Sequence, residues 1–459
     1  MNSYKKKILC IGAGYVGGPT MTIIANKCPE HKVTVADISE ERIAAWNSEK
    51  LPIFEPGLNE RVEKARGRNL FFTTDVDAGI LEADIIFVCV NTPTKTFGQG
   101  AGMAADLSFI EKTARRIKEV ARSGKIVVEK STVPVRAAET IGTILHSGDG
   151  DVNFEILSNP EFLAEGTAIP DMENPDRVLI GSQETPSGLK ARRELFDIYS
   201  QWVPKEKIIT SNLWSSELSK LVSNAFLAQR ISSINSIASV CELTGADVTQ
   251  VSRAVGKDSR IGEKFLRAGV GFGGSCFRKD ILNLVYLSQH YGLSEVADFW
   301  SKVISLNEFQ MERFVQRITR AMFNTLVDKK IAVFGFAFKP DTGDTRDSPA
   351  IYICKRLLQE RAKLCISDPH AIESARRDLA NVDGKITYEL NPYKAADGAD
   401  GIVLLTEWKS FETLNYKRIF ESMEKPAFCF DGRNCLDHDA LYDLGFNLYC
   451  VGRPDRHHL

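Results

Sequence analysis

Near the amino terminus the run KILCI, Lys7 to Ile11, passes directly into GAGYVG, Gly12 to Gly17, and KVTVAD restores strand character from Lys32 to Asp37. An apolar run, a glycine turn, a helix-length spacer and a second run make a βαβ unit, because parallel strands need a crossover between them. Gly12, Gly14 and Gly17 allow a tight turn and bring a pyrophosphate close to the helix amino terminus, where free N–H groups bind anions. Asp37 ends the second run twenty residues after the last glycine. A carboxylate there accepts from ribose hydroxyls and repels a 2′-phosphate, so NAD is expected rather than NADP, with Tyr15 and Val16 in the same turn. Arg42 either softens that discrimination or lies against the adenosine.

The pattern continues through NLFFTT, ADIIFVCV, KIVVEKST and FEILSNP, so residues 1–212 read as a doubly wound α/β domain. From 213 to 323 the texture is helical. WSSELSKLVSNAFLAQRISSINSIASVCELTG predicts one helix of about thirty residues, with SSEL as a capping box and TGAD as its stop. Its length suits a connector that also carries a subunit interface. At Lys329 the opening pattern returns. DKKIAVFGFAFK parallels KKKILCIGAGYV, AKLCISDP parallels KVTVADIS, and GIVLLT, AFCFDG and FNLYCVG complete a second, smaller Rossmann-like unit over 324–459. Gly335 survives there, but Phe336, Ala337 and Phe338 replace the later glycines, which suits that turn poorly to a pyrophosphate.

Composition narrows the class. With 459 residues, 43% hydrophobic and 26% charged, the chain is a multidomain globular protein, and it has no apolar run long enough to span a membrane. A net charge of −2 gives no general attraction to nucleic acid or anionic lipid. Ten cysteines without CxxC pairs or histidine spacing argue against a metal site and a disulfide framework, and point to a reduced, cytoplasmic compartment. Cys10, Cys89, Cys365 and Cys429 lie in apolar runs and are expected to pack in the core.

Cys276 is different. It follows four glycines in GVGFGGSCFRKD and precedes Arg278, Lys279 and Asp280. If a helix begins near Ser275, Cys276 lies in its first turn, where the dipole favours an anionic sulfur, and Asp280 follows one turn later. A thiolate beside a nicotinamide can attack an aldehyde, and the adduct can be oxidised to a thioester that water cleaves. Lys220 and Asn224, spaced i,i+4, share a helix face and can hold one oxygen. In SNPEFLAEGTAIPD, either Glu161 or Glu165 can act as a base or bind ribose. Thr132, in STVP, either caps a helix begun by Pro134 or holds a water.

GAGYVG, VNTPT, EKSTVPV, SNPEFLAEGTAI, NPDRVLIG, the 214–236 helix, GVGFGGSCF, GFAFKPDTGDTRDS and FDGR, in this order, resemble the motifs of the UDP-glucose 6-dehydrogenase family, most closely its eukaryotic-type members. The resemblance implies two successive oxidations of a sugar C6 alcohol to a carboxylate, with NAD as cofactor and UDP-glucose as substrate. It implies Cys276 as nucleophile, Lys220 as the cation at the C6 oxygen, Asn224 and Asp280 as accompanying polar groups, Glu161 as acid/base and Thr132 as the group that positions water. It assigns NAD contacts to the turn, Asp37, Arg42, the loop Val90, Asn91, Thr92, Pro93 and Thr94, and Glu165 and Arg346. Substrate contacts fall on Glu161, Phe162, Leu163, Ala164 and Glu165, on Lys220 and Asn224, and on Arg260, Phe265, Arg267, Phe272 and Gly273. Phe338, Lys339 and Arg433 complete them. Glycine N–H groups and these cations are expected to bind the diphosphate. Arg267 and Ala268 stand where members often carry lysine and serine, which retains the charge. The active site is expected between the two α/β domains, in a homo-oligomer that is a dimer or a hexamer of dimers.

Overall fold

The computed structural model describes residues 4–148 and 152–459, and the chain divides into two units, Met1–Ser223 and Asn224–Leu459. Eight strands build the first sheet: β1 (Lys7–Ile11), β2 (Lys32–Ala36), β3 (Leu70–Thr73), β4 (Ile85–Val88), β5 (Lys125–Glu129), β6 (Phe154–Ser158), β7 (Val178–Ser182) and β8 (Ile208–Asn212). They run in the order β3-β2-β1-β4-β5-β6-β7-β8 and are parallel except where β7 turns antiparallel to β6. Six parallel strands build the second: β9 (Lys330–Phe334), β10 (Lys363–Ser367), β11 (Lys385–Tyr388), β12 (Gly401–Leu404), β13 (Phe428–Asp431) and β14 (Asn447–Cys450), in the order β11-β10-β9-β12-β13-β14. Each sheet reverses its winding beside its first strand, between β1 and β4 and between β9 and β12. Such switch points open a crevice at the carboxyl ends of the strands.

Burial follows the strand period. On β1, Ile8 and Cys10 face one apolar core while Leu9 and Ile11 face another, so helices cover both sides and the strand reads as an unbroken apolar run. Both repeats use an aspartate to tie the first turn. Asp368 is fully buried. Its Oδ2 accepts from the Phe336 and Ala337 N–H and from Trp408 Nε1, and its Oδ1 from the His370 and Ala371 N–H. Asp368 thus takes five donors from its own protein, and Thr406 lies against Gly335, where a Cβ would fall 2.4 Å from the Thr406 Cβ.

Strands β7, β8 and β11, at or near the sheet edges, are additions to the runs named from the sequence. Three expectations are corrected. Cys89 is half-buried, whereas Cys10, Cys365 and Cys429 are buried. The long helix is Leu213–Thr244, stopped by Gly245 at φ 81°, but Glu217 makes no capping box: Asn212 Oδ1 accepts the Ser215 N–H instead. The helix after β5 begins at Ala137, not Pro134. Its first N–H groups are taken by Glu217, which accepts from Arg136 N at 2.7 Å and Ala138 N at 2.8 Å, so Thr132 does not cap it.

Candidate active site

In the first unit the glycine turn has the shape a dinucleotide needs. Gly12 has φ 111°, and a Cβ there would fall 2.3 Å from the Cys89 carbonyl oxygen; at Gly17 it would fall 2.0 Å from that of Gly12. At Gly14 a Cβ would meet nothing within 4 Å, leaving open space where a pyrophosphate approaches, while Tyr15 is exposed and Val16 precedes the helix. Asp37 accepts from Ala13 N at 2.8 Å, Ser39 N at 3.0 Å and Arg42 Nη1 at 2.9 Å. Burial works against its charge, but these donors outweigh it and hold the carboxyl below its usual range. An anionic carboxylate beside a roomy glycine turn fits an NAD ribose and pyrophosphate. Arg42 is therefore engaged with Asp37.

The carboxyl ends of β4, β5 and β6 bring the next group together. Val90 and Asn91 follow β4. Thr92 Oγ1 donates to the Thr132 carbonyl at 2.7 Å, and Thr94 bridges Ala105 beyond the exposed Pro93. After β6, Glu161 Oε1 accepts the N–H groups of Phe162 and Leu163, at 2.7 and 3.1 Å, while Oε2 lies 3.0 Å from Lys130 Nζ. Lys220 Nζ sits 5.4 Å from the Phe162 ring centre, and the Arg177 guanidinium covers the same ring at 3.8 Å. Glu161, Phe162 and Lys220 therefore share one neighbourhood. Leu163 packs on the core, Ala164 is exposed and Glu165 is partly exposed at the start of a turn. Glu55, a residue no motif signalled, binds the Gly166 and Ala168 N–H groups and fixes the end of this loop.

In the second unit Cys276 is the residue before the helix Phe277–His290, one place earlier than expected, and its thiol is half-buried. Ser275 Oγ lies 3.5 Å from its sulfur. Asp280, fully buried in the first turn, accepts from Asn224 Nδ2 at 2.6 Å. Gly274, at φ 89°, lets the Phe338 ring approach: a Cβ there would lie 2.8 Å from it. The loop differs from expectation in its N–H groups. Gly269 N donates to Asn235 Oδ1 and Gly274 N to the Arg346 carbonyl, so these two are already spent within the protein. Asn307, which bonds Phe272 N and O, and Gln310, which bonds the Gly269 carbonyl, complete a scaffold that no sequence signal revealed.

Arg433 joins this loop to Phe338, donating to the Gly271 carbonyl at 3.5 Å and to that of Phe338 at 3.3 Å. Lys339 Nζ lies 5.5 Å from the Phe338 ring centre, and Gly273 and Phe272 are buried beside them. Of the other residues named from the sequence, Arg346 and Phe265 adjoin this loop, the first through its carbonyl at Gly274 N and the second through Phe277. Arg260 is 86% exposed and paired to Asp258 at 2.6 Å; Arg267 is exposed and reaches the Asn434 carbonyl; Arg346 folds back on Asp344 at 2.6 Å. Phe265 is 41% exposed, edge-on to Phe277.

Comparison with known proteins decides the family. Models of the UDP-glucose/GDP-mannose dehydrogenase family match three successive segments: its NAD binding domain over residues 6–203, its central domain over 214–309 and its UDP binding domain over 332–438. The chain belongs to this family. Its cofactor is accordingly NAD, and it is an NAD-dependent dehydrogenase. Relatives named UDP-glucose 6-dehydrogenase 1 from Glycine max and from Arabidopsis thaliana are 58% and 56% identical, over 98% of this chain and 97% of theirs. The fold is shared with a UDP-glucose dehydrogenase from the archaeon Pyrobaculum islandicum, 30% identical, with a TM-score of 0.86 and 98% of each chain covered. It is also shared with a UDP-D-ManNAc dehydrogenase from Pyrococcus horikoshii, 25% identical with a TM-score of 0.81, covering 97% of this chain and 99% of that one. No helix among the described residues is long and apolar enough to cross a membrane.

Proposed function

We propose that this enzyme oxidises UDP-glucose at C6 to UDP-glucuronate, using two NAD per sugar. The observation that carries the reading is the 58% identity, over nearly the whole of both chains, to a protein named UDP-glucose 6-dehydrogenase. NAD, when bound at the Gly12–Gly17 turn, supplies the hydride acceptor for each oxidation. Lys220 holds the C6 oxygen and stabilises negative charge as the alcohol gives up its proton. Cys276 adds across the aldehyde carbonyl, sulfur to carbon and a proton to oxygen, as a thiohemiacetal, and loss of hydride from that carbon together with the hydroxyl proton leaves a thioester. A water positioned by Thr132 and Asp280 cleaves the thioester, restoring the thiol and releasing the carboxylate, while Glu161 accepts and returns protons. Asn224 bonds Asp280 and so sets its orientation. Arg433, Lys339, Phe338 and the 267–273 loop receive the uridine diphosphate; Arg260 and Phe265 act at its margin, and Arg346 and Glu165 at the cofactor. The ten free cysteines suit a reducing cytoplasm.

The test is the NADH formed per UDP-glucose consumed with NAD in excess. Two NADH per sugar is the expected outcome. One NADH per sugar would end the reaction at the aldehyde and remove the thioester step. No NADH from UDP-glucose, with turnover of another nucleotide sugar, would overturn the substrate.

A further inference from the structure

The mechanism above leaves unused one of the most deeply buried charges in the first unit. Lys130, directly after β5, is 3% exposed. Its ammonium lies 3.0 Å from Glu161 Oε2 and donates to Asn159 Oδ1 at 3.2 Å and to the Asn159 carbonyl at 3.4 Å. Asn159 is itself held. Its Nδ2 donates to the Leu179 carbonyl at 2.8 Å, and the Tyr199 hydroxyl donates to its Oδ1 at 2.7 Å. Burial opposes the lysine's charge, but Glu161 outweighs it, with Tyr199 and Cys89 adding to the effect, and Lys130 keeps its proton more firmly than an ordinary lysine. The adjacent Glu129 is pushed well up by burial, then by Glu217 and Cys89, which disfavours its anion.

An ammonium taken out of water costs several kcal/mol unless its partners are well placed, and a surface pair would serve stability as well. Here the partners leave Glu161 little freedom: one oxygen is held by two backbone N–H groups, the other by Lys130. We propose that Lys130 is a positioning residue that locks the Glu161 carboxylate in one orientation for proton transfer at the sugar C6. The inference rests on the role given to Glu161 above. Lys130 touches neither substrate nor cofactor in this role; it acts through Glu161 alone.

That dependence gives the test, a double-mutant cycle in the full-length enzyme. Glu161→Gln is expected to lower kcat by roughly 10²-fold. Lys130→Met is expected to lower kcat by at least about tenfold, leaving KM for UDP-glucose and for NAD within about twofold. The Lys130→Met/Glu161→Gln enzyme should be no slower than Glu161→Gln, within about threefold, because the second loss has already been taken. Losses that multiply would show Lys130 acting independently and overturn the proposal, as would an unchanged kcat in Lys130→Met. If Lys130→Met does not fold, the double variant, which buries no lone charge, still decides against Glu161→Gln. A Glu161→Gln enzyme with normal turnover fails differently: it removes the role of Glu161 itself, and this inference with it.

Discussion

Cys276 is set apart from the other thiols by its surroundings. Burial pushes the Cys28 thiol up to about 12 and raises Cys10 and Cys429 well above their usual range, which keeps them protonated and inert. Cys276 instead stands half-buried at a helix amino terminus behind a glycine loop. Replacing it with serine should lower NADH production by at least roughly 10³-fold while leaving UDP-glucose and NAD affinity, read by calorimetry, within about threefold. A Cys276→Ser enzyme that still makes acid at the normal rate would refute nucleophilic catalysis. The glycines and the cysteine were legible in the sequence because their spacing is local. Glu55, Asn235, Asn307 and Gln310 were not, because each is an ordinary polar residue until the fold brings it to a backbone group far away in the chain.

At the scale of elements, the seam between β5 and the long helix is tied by one carboxylate. Glu217, on the helix Leu213–Thr244, accepts the first N–H groups of the helix Ala137–Leu145, whose preceding residue Arg136 sits at φ 79°. Burial raises this carboxyl to about 7, even though the Ala138 and Arg136 N–H groups favour its anion. A folded pKa above the unfolded one means the native state binds the extra proton. Its contribution is therefore full below pH about 4.5 and is lost as pH rises through about 7, a change on the order of 3 kcal/mol. Denaturation followed by circular dichroism should show stability declining across that window in the wild type and a flatter profile in Glu217→Gln. An equal slope in both would place the titration elsewhere. The SSEL pattern named the right glutamate for capping but the wrong helix, since sequence shows nearest neighbours and Glu217 serves a helix some eighty residues away.

For the whole molecule, the two sheets share one winding rule, yet only the first retains a turn open to a dinucleotide. The first turn is open at Gly14, while the second has buried Phe336 and Ala337 in place of glycines and Thr406 packed against Gly335. The long helix leaves Phe226, Ile237 and Val240 exposed at helical spacings, and such a stripe suits burial against another copy of the chain. Light scattering is expected to give a mass at least twice the 51.0 kDa of one chain, and Phe226→Asp should shift the population toward single chains. A wild type that runs as one chain at micromolar concentration would reject the oligomer.

The sequence by itself determined the elements whose rules are local: β1 and its glycine turn, Asp37 one strand on, the repeat at Lys329, and the cysteine behind its glycines. Strand alternation, turn geometry and dipole each act within a few residues, so composition and spacing suffice to read them. Only the tertiary structure decided that β7 runs against β6, that β11 closes an edge with a half-exposed run, and that the Gly269 and Gly274 N–H groups are spent inside the protein. It also decided that Lys130 and Glu161 meet. Those outcomes depend on which distant group satisfies a buried donor, acceptor or charge, and that partner exists only once the chain has folded.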